Sequence, residues 1–292
     1  ITANDAFKPV TRYFDRITRP EQIIQSFPTA IQTMLDPADC GPACISLSQD
    51  IQGQTFEYPE EFFKEKIHVI RRPRPDDFQI KEAATVIKSS KNPIIISGGG
   101  VFYSDAMEEL SNFAIKHNIP VTQTVMGYST MKRDHSHYAG QIGALGGKNT
   151  NLIAKQTDLA IAIGTKLGDF TTGSWANFEN ANFKLVSINV SRFDANKHLA
   201  QAIVGDAKIS LKDLSNALGD WRAGEEWNKK SQNELAAWNA HIDKESAPSN
   251  QEIPSYVQVI GAIYKNSDPS DIAVTAAGGL VGEVVQVWRP RE

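Results

Sequence analysis

The stretch Lys91-Asn92-Pro93-Ile94-Ile95-Ile96-Ser97-Gly98-Gly99-Gly100, with its later counterpart Asp158-Leu159-Ala160-Ile161-Ala162-Ile163-Gly164-Thr165, decides the fold. Each is a short apolar run that stops at glycine. Such runs read as parallel strands covered on both faces. Similar runs at 43–47, 120–124, 184–189, 202–204 and 272–275 are further strand candidates. Helical spacing lies between them, at 20–35, 78–87, 104–117, 149–156, 207–218, 221–243 and 254–266. Asp76 and Asp77 open the second helix, where acidic side chains favour a helix N-terminus, and Ser104-Asp105-Ala106-Met107-Glu108 reads as an N-cap. Alternation of this kind predicts an α/β fold: parallel sheet with helices on both faces.

Working outward, the proline-rich, charged stretch Arg71-Arg72-Pro73-Arg74-Pro75-Asp76-Asp77 interrupts any element, because each residue before a proline is pushed extended. A second polar, breaker-rich stretch lies at 245–254. The expected organisation is therefore 1–70, a Rossmann-like central domain at 76–219, a linker helix and loop at 220–253, and 254–292. The outer pieces carry one or two strands each, too few for independent stability, and look like partial α/β domains. The chain opens at Ile1 and stops at Glu292 soon after a strand-like run, so both ends are expected to be cut.

Composition sets the outer bounds. With 292 residues there is room for about two domains. Thirty Lys and Arg against 34 Asp and Glu give a net charge of −4, which argues against a nucleic-acid or anionic-membrane surface. The 41% apolar content is too high for disorder, and no run approaches the 18 or so apolar residues of a membrane span. No leader is evident and only Cys40 and Cys44 are present, so a reducing, cytoplasmic compartment is expected.

Three glycine-rich loops follow strands or precede helices: Ser97-Gly98-Gly99-Gly100-Val101-Phe102-Tyr103, then 140–147, then 164–173. Ligands of open α/β sheets sit outside the carboxyl ends of strands, so Gly98, Gly99, Gly100, Gly164 and Thr165 outline a possible nucleotide crevice. They serve equally well as plain tight turns. The dinucleotide fingerprint is incomplete, since Tyr103 stands where its third glycine would be, and there is no P-loop. Gly278-Gly279-Leu280-Val281-Gly282-Glu283 is a fourth turn able to cradle phosphate through backbone N–H groups. Asp134-His135-Ser136-His137 lacks a third metal ligand and reads as a solvated loop, so no metal site is expected. Cys40 and Cys44 are spaced wrongly for a redox pair, with Cys44 reading as strand core. Trp221, Trp227 and Trp238 read as packing.

Taken in order, these pieces resemble the thiamine-diphosphate (ThDP) enzymes related to acetolactate synthase, which are built from pyrimidine-binding, central and diphosphate-binding α/β domains. Arg19-Pro20-Glu21-Gln22-Ile23 through the run 41–52 looks like the end of the first, 91–100 the start of the second, and Ala276-Ala277-Gly278-Gly279-Leu280 the opening of the third. The stretch from Asn4-Asp5-Ala6-Phe7 to Ile17, then Gln49-Asp50-Ile51-Gln52-Gly53 and Asp169-Phe170-Thr171-Thr172-Gly173-Ser174-Trp175, resemble the inositol-catabolic branch of that superfamily. The resemblance implies hydrolytic ring opening of a cyclic trihydroxy-1,2-dione to 5-deoxy-glucuronate, with ThDP and Mg²⁺ as cofactors and self-association as dimer or tetramer. It places Ala277, Gly278, Gly279, Leu280, Gly282 and Glu283 on the diphosphate side, and it implies no FAD for this branch. The family's catalytic glutamate is expected upstream, and its Gly-Asp-Gly…Asn metal motif downstream. The chain is therefore expected to be an internal fragment, inactive alone. Acetolactate-type carboligation and a non-catalytic nucleotide-binding role for 76–219 are the alternatives.

Overall fold

A computed structural model describes residues 2–249, 251–275 and 278–289, in two compact units, Ile1–Pro73 and Arg74–Glu292. In the first unit β1 (Tyr13–Ile17) runs parallel to β2 (Ala43–Leu47), with α1 (Ile23–Met34) between them in the chain. A crossover helix of this kind is what a parallel pair requires. The two strands pair from Tyr13 with Ala43 to Ile17 with Leu47, which places Cys44 opposite Phe14 in a strand, while Cys40 is exposed. Asp15 accepts a hydrogen bond from the buried Ser26 of α1 and ties the helix to the pair.

The second unit holds one six-stranded sheet. Its strands are β3 (Pro93–Ser97), β4 (Val121–Gln123), β5 (Tyr138–Gln141), β6 (Leu159–Ile163), β7 (Lys184–Asn189) and β8 (Gln201–Val204), all parallel, in the spatial order β5-β4-β3-β6-β7-β8. Its helices include α2 (Asp77–Lys88), α3 (Gly99–Tyr103), α4 (Met107–His117), α5 (Lys148–Gln156), α6 (Asp169–Thr172), α7 (Ala207–Leu218), α8 (Glu225–Glu245), α9 (Tyr256–Asn266) and α10 (Gly279–Val287).

The apolar runs split by residue parity, because successive strand side chains point to opposite faces. Ile95, Leu159, Ile161, Ile163, Val186 and Ile188 pack with Ile80 and Ile87 of α2, Leu110 and Phe113 of α4, and Leu211 and Leu214 of α7. Ile94, Ile96, Ala160, Ala162 and Leu185 pack on the other side with Ile153 of α5 and Trp227 of α8. Ile94, Ile95, Ile96 and Ile161 are fully buried, each contributing about 1.5–3 kcal/mol relative to exposure. Aspartates cap two of the helices. Asp76 caps α2 by accepting from the Phe78 N–H, and Asp206 caps α7 by accepting from Lys208 and Ile209. Asn118 closes α4 in the left-handed region, at φ 54°.

Three differences from the sequence expectations have physical causes. β1 and β5 are strands where none was expected. The run 272–275 is not a strand among the described residues: Ile272 and Val274 are almost fully exposed and no neighbouring strand pairs with it. The helix expected over 104–117 starts only at Met107, as α4, because Asp105 takes positive φ; Ser104, expected as an N-cap, instead ends the separate short helix α3, and Ala106 stands at the N-cap of α4. Residues beyond 254 lie in the same compact unit as the sheet. Val284 and Val287 of α10 pack with Ile242 of α8 and Ile260 of α9, and Arg133 donates to the Val285 carbonyl at 2.7 Å.

Candidate functional site

The strand order reverses between β3 and β6. At such a switch point the two following loops diverge, and a crevice opens at the carboxyl ends. Here the loops first close on each other. Gly98 N–H donates to the Ile163 carbonyl at 2.9 Å, and Gly100 N–H to the Gly164 carbonyl at 3.0 Å. A Cβ on Gly98 would lie 2.4 Å from the Gly164 oxygen, and one on Gly100 2.6 Å from the Gly164 Cα. Gly164 itself has φ +59°. These glycines are thus demanded by loop-on-loop contact, and two of the N–H groups that a phosphate would use are already spent. The 140–147 loop is knitted in the same way: Ala144 N–H donates to the Phe170 carbonyl at 2.7 Å, and a Cβ on Gly143 would sit 2.1 Å from that oxygen.

Above this contact lies a cavity of about 400 Å³. Gly99, Gly100, Gly164 and Thr165 line it, while the buried Gly98 lies beneath. Its walls are mainly apolar, from Met126, Ile142, Leu145, Leu167 and Phe170, with threonine hydroxyls at 124, 165 and 171. Among the described residues Lys166 and Tyr103 are its only ionisable lining groups, with no carboxylate, imidazole or thiol. Such a lining can hold a flat, largely apolar group by shape. It offers little for acid–base or nucleophilic chemistry. The loop after β4, Thr124 to Met126, was not singled out from the sequence. It carries no glycine run, yet the rule that ligands sit at carboxyl ends of strands points to it.

The second predicted set lies at the start of α10. Gly278, Gly279 and Leu280 are exposed, Gly278 with φ +131° and open space where a Cβ would be. Gly282 and Glu283 are half-buried, and Ala277 lies outside the described residues. None of the described members of this set lines the different cavity, of about 560 Å³, that Tyr128, Thr275, Val281 and Trp288 among others enclose. Val125 lines both cavities, and a Cβ on Gly282 would meet Leu145 of the first at 3.2 Å, so of this set Gly282 lies beside the crevice loops without lining their cavity.

The remaining candidates have structural occupations. His135 Nε2 bonds the Ser111 hydroxyl at 2.9 Å, and its Nδ1 accepts from the His137 N–H at 3.1 Å. His137 lies between Ser136 and the Asn118 amide oxygen, so no ring nitrogen of the pair faces a free site. Burial drives His137 down to about 4, with the neighbouring His135 and Arg222 acting in the same direction. Burial also holds His117 and His135 below the usual imidazole range. Among the described residues no group of three His, Cys, Asp or Glu is placed to hold a metal ion. Trp227 is buried and donates to the Pro93 carbonyl at 2.8 Å, while Trp238 donates to Gln286 of α10 at 2.9 Å. Among the described residues no helix is long and apolar enough to cross a membrane.

Known proteins match this arrangement. Residues 80–214, from α2 to α7 and so including every strand of the large sheet, match the family described as thiamine pyrophosphate enzyme, central domain. Over its whole length the chain is similar to proteins named 3D-(3,5/4)-trihydroxycyclohexane-1,2-dione hydrolase. The one from Clostridium perfringens (strain 13 / Type A) is 37% identical over 99% of this chain and 49% of its own length. The one from Clostridium tetani is 37% identical over 100% and 49%. The one from Bacillus subtilis (strain 168) is 36% identical over 99% and 49%. The chain spans about half the length of the relatives it matches. Residues 80–214 are thus similar to the central domain of the thiamine pyrophosphate enzymes.

Proposed function

We propose that this chain is part of a ThDP-dependent hydrolase that opens the ring of 3D-trihydroxycyclohexane-1,2-dione by C–C cleavage to 5-deoxy-glucuronate. The observation that carries the proposal is the 36–37% identity to hydrolases of that name across 99–100% of the chain, well beyond the central domain. On this reading 1–70 is the C-terminal part of the pyrimidine-binding domain, and 254–292 opens the diphosphate-binding domain. The enzyme works in the cytoplasm, as a dimer or tetramer, with Mg²⁺.

The residues present fit the cofactor only in part. The exposed Gly278–Gly279 turn presents backbone at the start of α10, where N–H groups favour an anion. No Gly-Asp-Gly occurs in the sequence, and among the described residues nothing is grouped to hold Mg²⁺. ThDP supplies carbanion stabilisation wherever it binds, but no step through it follows from this chain. What the chain contributes is the rigid sheet and the loops at its carboxyl ends.

The test is the full-length protein with ThDP, Mg²⁺ and the cyclic dione, followed by NMR. Loss of the ring signals with appearance of an open-chain acid supports the proposal. An untouched dione overturns it. Condensation of pyruvate in that case would show carboligation, and binding of a nucleotide without turnover would show a binding module.

A further inference from the structure

The crevice at the carboxyl ends of β3, β4 and β6 carries more than the glycine contacts need. Tyr103, Met126 and Phe170 line it with 80%, 73% and 70% of their surface exposed. A single exposed apolar side chain is ordinary, but three large ones around one cavity mark a binding surface. Phe102, itself more than half exposed, extends this surface through an edge-on contact with Tyr103 at 5.9 Å. Ile142 and Leu167 are buried and supply fixed apolar wall. The cavity is open to solvent, so these side chains are reachable.

The polar groups of the same lining are few. The Thr124 hydroxyl accepts from the Gly127 N–H at 3.0 Å, and the Thr165 hydroxyl from the Leu167 N–H at 3.4 Å. The Lys166 ammonium and the Thr171 hydroxyl have no partner among the described residues. Lys166 is exposed and Thr171 half-buried. With no carboxylate in the described lining, its one formal charge is positive. A nucleotide would ask for more. Its phosphates need several N–H groups, and those of Gly98 and Gly100 are spent on the Ile163 and Gly164 carbonyls. Its ribose hydroxyls would meet no carboxylate here.

We propose that this crevice binds an aromatic monocarboxylate, its rings against Tyr103, Met126 and Phe170 and its carboxylate at Lys166, with the Thr171 hydroxyl as a second donor. Aromatic pairs in offset or edge-on contact gain more than their buried area alone, and a methionine sulfur adds favourable contact at a ring edge. Affinity comes from the rings. Lys166 is exposed, where an ion pair is worth little, so it supplies selectivity for the anion. This proposal does not rest on the hydrolase reading, since its readout is binding to the 292-residue chain without cofactor or turnover.

Isothermal calorimetry tests it with five probes: 2-naphthoate, benzoate, cyclohexanecarboxylate, 2-naphthalenemethanol and AMP. 2-Naphthoate is expected to bind about tenfold tighter than benzoate, from the extra ring buried. Cyclohexanecarboxylate should be weaker than benzoate, and AMP silent. Lys166→Met should weaken 2-naphthoate about two- to fivefold, the scale of an exposed ion pair, and leave 2-naphthalenemethanol unchanged. Met126→Ala should weaken both naphthyl probes. Both side chains are exposed, so these variants should keep the fold. No heat from any carboxylate would overturn the proposal. So would AMP binding more tightly than 2-naphthoate, cyclohexanecarboxylate matching benzoate, or wild-type affinity for 2-naphthoate in the two variants.

Discussion

Gly164→Ala is the sharpest test of the switch-point contact. Gly164 sits at φ +59°, where an alanine costs about 1–2 kcal/mol in backbone energy. Its added Cβ would lie 2.5 Å from the Gly100 Cα, 2.8 Å from its carbonyl carbon and 2.9 Å from its nitrogen. Ordinary carbon contacts are about 3.5–4 Å, so backbone must yield by about 1 Å. Overpacking of this kind costs about 1–3 kcal/mol, for a total of about 2–5 kcal/mol. Gly100→Ala meets the same clash from the other side, at 2.6 Å, but gains about 0.5–1 kcal/mol as alanine within α3. It should therefore be the milder change. Gly168→Ala, with nothing within 4 Å of the new Cβ and ordinary φ, is the control and should stay within about 1 kcal/mol. In a unit of this size each kcal/mol moves Tm by about 2–4 °C, so Gly164→Ala should melt roughly 4–20 °C lower. Thermal unfolding followed by near-UV circular dichroism reads this directly. If Gly164→Ala melted with wild type, or if Gly168→Ala fell as far, the loop-on-loop explanation of these glycines would be refuted.

Other consequences follow from single contacts. His137 is held neutral to about 4 in the fold but protonates near its ordinary value when unfolded, so the unfolded state binds more protons below about pH 6.5 and stability falls as pH drops toward 4; this residue accounts for about 2 kcal/mol of loss by pH 5, and His137→Asn should flatten the slope of urea-unfolding free energy against pH. Trp227→Phe leaves the Pro93 carbonyl without its 2.8 Å donor in the core and should lower the urea midpoint, at a cost of about 1–3 kcal/mol. Gly224→Ser places a hydroxyl at the extended N-cap of α8, in open space, and should raise stability by a few tenths of a kcal/mol or more in the same assay.

Much of the sheet was legible because a strand buried on both faces must be apolar at every position, and glycine must end it where loops crowd. Pro93–Ser97, Leu159–Ile163 and Lys184–Asn189 show that signature, and the structure keeps those bounds. The strands without it were missed. β5 is an edge strand, Tyr138-Ala139-Gly140-Gln141, with a glycine at φ +99° and a register shift against β4. β1 carries Asp15 and Arg16 and buries only Ile17 fully. Conversely, 272–275 has a strand's composition but no pairing neighbour among the described residues, and strands are made by neighbours.

For the candidate sites the division is sharper. Local sequence was enough to find the glycine loops and place them after strands, since chain direction and element order are properties of the string. It could not say why the glycines are there. Gly100 and Gly164 are far apart in the chain, and their close approach exists only once β3 and β6 pair side by side. The same holds for the packing of the later helices: only the seating of α8 and α10 beside β5 brings Trp238 within 2.9 Å of Gln286 and Arg133 within 2.7 Å of the Val285 carbonyl.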